Sequence, residues 1–225
     1  MLLSPLNWVV HLFSSLEWGV AVLMLFRYGR LVGRPDVARF GLFMIPHWVG
    51  SWFVLGYHLS GDRLPFMLDM SELVNFFGSI FLLSATISIL RRGKPQTAGF
   101  AGALFAGIAV SGHPQSWMGN NVFDAILQLS SIVYLAFLVL LLRVRKQDPE
   151  AFSGLTVFGF WFVLVFISVT IFCMYLATEV RGFPTLSHDD LLHGLAESLL
   201  SVSNLLIVLG IHRQTKRAKE KMLGR

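Results

Sequence analysis

The sequence is short of several things that water-soluble proteins use. It has one cysteine, Cys173, inside an apolar stretch. That excludes an intrachain disulfide and any cysteine-based metal motif. Charged residues make up only 14% of the 225 positions, too few to cover a soluble domain of this size. No Walker loop, dinucleotide glycine fingerprint or HExxH helix occurs, so the soluble catalytic signatures are missing. The start, MLLSPLNWVVHLF, has no basic leader and no small-residue cleavage site. It reads as a retained first helix.

Apolar residues are what the chain has in abundance, at 55%, and they recur in long runs. This is the pattern of a polytopic membrane protein. The net charge of +5 does not point to nucleic acid. The basic residues sit in short loops and at the C-terminus, where they set orientation and meet anionic lipid. The lipid bilayer is thus the first partner.

Apolar spans are expected at about 5–26, 40–59, 70–90, 122–142, 155–176 and 191–211. A seventh candidate, 97–112, is short, uncharged and rich in small residues. Charge decides its status. If it crosses, the basic clusters after spans one, three, five and seven share one side, and the other side keeps Arg63 and Arg181. The positive-inside rule therefore favours an all-α fold of about seven transmembrane helices in a 3+1+3 arrangement. The N-terminus lies outside and the C-terminus in the cytoplasm or stroma. The expected units are a three-helix module over 1–95, a connecting short helix over 96–117, a second three-helix module over 118–212 and a basic cytoplasmic tail over 213–225.

The last span carries His193, Glu197 and Asn204 in an otherwise apolar helix. His193 and Glu197 are four residues apart and share a face. A carboxylate at membrane depth is costly unless protonated, paired or facing water, so it marks a functional site by default. The first span holds His11 and Glu17. His58 and Asp124 fall at the outer ends of their spans, with His113 and Trp117 in the loop above. One outward-opening polar pocket between the two triplets is expected. Its acid–base candidates are Glu197, His193, Glu17 and His11; its ligand-holding candidates are His11, His58, His193 and Asp124. No built metal centre is assigned. Bland readings compete at each position. His11 serves equally well as a helix-bridging hydrogen bond. His58 and Asp124 sit where plain solvation suffices, and Asn75 and Asn204 suit interhelical bonding. His47, beside Pro46, reads as structural.

Two stretches carry a resemblance. Trp8, His11, Ser14, Glu17 and Trp18 form W-x2-H-x2-S-x2-E-W, followed by Tyr28-Gly29 and by Pro46 with His58 twelve residues later. This resembles the hypothetical chloroplast frame (Ycf) forty-nine family of uncharacterised cyanobacterial and plastid membrane proteins, over residues 5–92. Tyr57 stands where that family usually has Trp, and Ser79 where it usually has Asn. His193-Gly194, the run Ala196 to Leu200 and Asn204 resemble a second uncharacterised family of the same organisms, over residues 118–212. The resemblance implies an oxygenic phototroph and a thylakoid or plasma membrane. It implies no settled activity.

Three functions are open. The first is non-enzymatic: an auxiliary or assembly factor of the photosynthetic membrane, binding a pigment, a quinone or a partner among the photosynthetic complexes. Imidazoles such as His11 or His193 can ligate a chlorophyll magnesium or a haem iron; carotenoid and quinone are the other candidate cofactors. The second is an isomerase- or cyclase-type enzyme on a lipid-soluble isoprenoid. Glu197 or Glu17 would donate a proton and His193 or His11 accept one. The third, a small-solute transporter, rests on layout alone.

Overall fold

The computed structural model describes residues 3–92, 116 and 119–224. The helix expected over 97–112, His113 and Trp117 lie outside these residues. Among the described residues every regular element is helical: α1 (Pro5–Leu31), α2 (Pro35–Phe43), α3 (Ile45–Leu59), α4 (Pro65–Leu90), α5 (Asn120–Gln147), α6 (Gly154–Tyr175) and α7 (Asp190–Leu223). Five of them, α1, α4, α5, α6 with its π-turn extension to Val180, and α7, are long and apolar enough to cross a membrane.

Local chemistry sets the ends. Ser4 accepts the Asn7 N–H before Pro5 opens α1, Ser153 accepts the Thr156 N–H of α6, and Asp189 accepts the Leu192 N–H of α7. These are side-chain N-caps. The stretch expected as one helix over 40–59 is two, broken at Met44. Pro46 has no N–H to give the Leu42 carbonyl, so the ladder fails there. The Trp18 indole N–H donates to the Met44 carbonyl at the break, at 3.0 Å.

α7 packs on α1 and α6, while α4 packs on α3 and α5. One core joins the two halves of the chain. Phe40 of α2 meets Phe152, Phe137 and Phe160 at ring distances of 4.7, 6.0 and 6.0 Å. Large apolar side chains such as Leu6, Phe13, Phe158 and Phe172 face outward, as expected where lipid replaces water.

The basic segments collect at one end. Arg34 grips the Asp36 carboxylate through two hydrogen bonds and reaches Asp148 beyond α5. Arg92, after α4, also pairs with Asp36. Lys221 of α7 pairs with Glu150. α4 and α5 therefore both finish at this end. Ser116 donates to Asp69, near the start of α4, at the other end. The tail expected over 213–225 is helical through Leu223. Its first turn is docked, because Gln214 donates to the Glu150 and Ala151 carbonyls and accepts the Ser153 N–H.

Candidate functional site

α1 is turned so that its polar residues face inward. Asn7, His11, Ser14, Ser15 and Trp18 are buried, while Leu6, Val9, Phe13, Leu16 and Val20 are exposed. These spacings follow helical periodicity. α7 offers the matching face. Both helices start at the same end, so their polar residues meet in order.

Asn7 donates to the Asp190 carbonyl and carboxylate at 2.8 and 2.7 Å, and the Ser4 N–H donates to the same carboxylate at 3.0 Å. Below this clasp, His11 and His193 meet through their Nε2 atoms at 2.9 Å. Glu197 Oε2 stands 3.6 Å from His11 Nδ1, too far for a direct hydrogen bond but within charge contact. Deeper still, Ser201 donates to Glu17 at 2.7 Å. Asn204 donates to the carbonyl and hydroxyl oxygens of Ser14 at 2.9 and 3.0 Å.

The third imidazole comes from the last turn of α3. His58 stacks near both others, so the three ring centroids form an almost equilateral triangle of 5.0, 5.1 and 5.2 Å. His11, His58 and His193 are 6%, 3% and 6% exposed. One nitrogen from each ring lies within 4.8 Å of the others. His58 Nδ1 donates to the Asp62 carboxylate at 2.9 Å. Asp62 gets there because the chain reverses after Ser60 through two left-handed residues, Gly61 at φ 69° and Asp62 at φ 62°. A left-handed backbone is unfavourable for a residue with a Cβ, though Asp bears it better than most.

Of the expected residues, His11, His193, Glu197 and His58 are thus brought together, and Glu17 lies deeper in the same α1–α7 seam. Asp124 is not among them; it sits on α5, which packs on α4 and α6. Asp62, Asn7 and Asp190 were missed. The His58-x3-Asp62 spacing is the signal that could have found the first. Among the described residues, three polar atoms here are buried without a hydrogen-bond partner: His193 Nδ1, Asp62 Oδ2 and Asn204 Oδ1.

Chemically, the cluster presents three imidazoles backed by carboxylates. It can hold a metal ion, orient a polar ligand group or pass a proton between imidazole and carboxylate.

Residues 2–88 match a family described as a protein of unknown function, DUF2499. Residues 123–216 match another of that description, DUF3593. A Ycf49-like protein from Synechocystis sp. is 26% identical over 98 residues, which cover 43% of this chain and 94% of that protein. No solved structure matches the chain. The chain is an integral membrane protein whose first half is similar to a cyanobacterial Ycf49-like protein and whose second half is similar to a separate uncharacterised family.

Proposed function

We propose that this protein is an auxiliary factor of the photosynthetic membrane that binds a small ligand at the outer end of its bundle. The observation that carries this reading is the meeting of His11, His58 and His193, from three helices, with Glu197 and Asp62 beside them. A buried polar cluster costs stability unless something it does offsets that cost. Here it joins the two halves of the chain, each similar to a separate uncharacterised family. The cyanobacterial relative supports the setting.

Gentle purification from the native membrane tests it, with metal analysis, an absorption spectrum and mass spectrometry of an organic extract. A near-stoichiometric ligand that is lost in His11→Gln and His193→Gln supports the reading. A protein that carries and takes up no ligand contradicts it.

A second reading has its own support. The Glu17–Ser201 bond and the His11–Glu197 contact place two carboxylates along one seam in an apolar bundle. That arrangement suits acid–base chemistry on a lipid-soluble isoprenoid. A deletion strain that accumulates a carotenoid or quinone precursor would favour it over the first.

A further inference from the structure

We infer that His11, His58 and His193 form a facial site for one divalent first-row transition-metal ion of the Zn2+ or Fe2+ class. This names the ligand of the centre above and rests on the reading that the centre binds one.

Geometry comes first. Three nitrogens about 2.1 Å from one tetrahedral ion stand roughly 3.4 Å apart. Here one pair of Nε2 atoms is 2.9 Å apart and the three candidate ligand atoms lie within 4.8 Å. Side-chain shifts of about 1 Å bring them to coordination distance.

Orientation comes second. Histidine ligands of metals commonly give their other ring N–H to a carboxylate, which fixes the tautomer. His58 does so with Asp62 at 2.9 Å, and Glu197 faces Nδ1 of His11. The Asp62 bond leaves Nε2 of His58 free of a proton. One of His11 and His193 donates in their 2.9 Å contact. Binding an ion at both Nε2 atoms moves that proton to Nδ1 of the same ring, which in His11 faces Glu197.

Charge is third. Three imidazoles supply no charge, and a bare dication among buried groups is prohibitive. Glu197 and Asp62, next to the ligands but outside the triangle, supply two negative charges against its two positive ones. Oxygen-seeking Mg2+ and Ca2+ are disfavoured by an all-nitrogen set.

Two alternatives account for less. A tetrapyrrole metal takes axial ligands singly, from opposite faces of its plane. Three rings about one point, with centroids near 5 Å apart, leave no slot for that plane. Mere helix bridging explains the His11–His193 bond. It does not explain Asp62, which holds a left-handed backbone and a partnerless buried oxygen in order to reach His58.

The test uses the full chain in detergent, stripped with a chelator and titrated with Co2+, whose visible bands report its coordination. One Co2+ per chain is expected, with the intense bands of a four- or five-coordinate nitrogen site, displaced by Zn2+. His11→Gln, His58→Gln and His193→Gln should each weaken binding by more than roughly 100-fold, beyond the loss typical of outer-shell changes. His212→Ala, on the exposed tail of α7, should not. Absence of binding by the wild-type chain overturns the inference whatever the variants do. So does binding that survives all three substitutions. A chain that co-purifies with an organic ligand yet binds no Co2+ overturns the metal and keeps the ligand-binding function. A chain with neither overturns both.

Discussion

His11 and His193 lie 182 residues apart in sequence and 2.9 Å apart in the fold, Nε2 to Nε2. The contact joins α1 to α7, and so the stretch similar to one uncharacterised family to the stretch similar to the other. Asn7–Asp190 above it and Ser201–Glu17 and Asn204–Ser14 below it make the seam continuous. Polar bonds of this kind hold helices together where lipid offers no hydrophobic drive.

Asp62 orients His58 and adds its charge beside the centre. Asp62→Asn keeps the size of the side chain and loses its charge. The expected result is metal affinity lower by about 10–100-fold, with folding retained. Competition with a coloured chelator, read beside circular dichroism, measures both.

Glu197→Gln separates charge from shape at the partly buried carboxylate facing His11. The chain should still insert and fold, because the amide fills the same space. It should fail to rescue a deletion strain, because it carries neither proton nor charge to the centre. Full rescue would remove Glu197 from the account.

Gly29 is where α1 and α2 turn tightly on each other. A Cβ there would stand 2.3 Å from the Ala38 backbone nitrogen. Ala is ordinarily the better helix former by about 1 kcal/mol. Here the backbone contact outweighs that gain. Gly29→Ala should destabilise the chain by roughly 1–3 kcal/mol, the usual cost of overpacking. Thermal unfolding in detergent gives the sign directly.

The ion cluster around Asp36 predicts acid sensitivity. Burial opposes ionisation of Asp36, but the Arg34 fork and the Arg34 and Arg92 charges outweigh it, and its carboxyl sits below the ordinary value of 3.8. A depressed folded value means the ion pair stabilises fully above the ordinary range. That stability is lost as pH falls below it toward the folded value. Melting temperature should fall as pH drops through this range, and Asp36→Asn should flatten that acid limb.

Much of this architecture could be read beforehand, because bilayer thickness forces long apolar runs. The helix ends could not. α7 continues through Lys216 and Lys221 after its apolar run stops, since a helix needs no lipid once its backbone is paired. Pro46 was visible, but the break falls at Met44 and draws Trp18 onto it. His11, His193 and Glu197 stood out as polar residues at helical spacing. Their pairing did not, since spacing within one helix says nothing about which helix lies opposite. Asp62 was hidden most deeply, because only the left-handed Gly61–Asp62 turn folds it back onto His58.

The most direct measurement is the metal content of the gently purified protein, by elemental mass spectrometry, beside a variant with His11, His58 and His193 all changed to Gln. The account predicts about one transition-metal ion per chain in the wild type and none above background in the variant. Equal metal in both, or a wild type that carries none and takes up none, would contradict it.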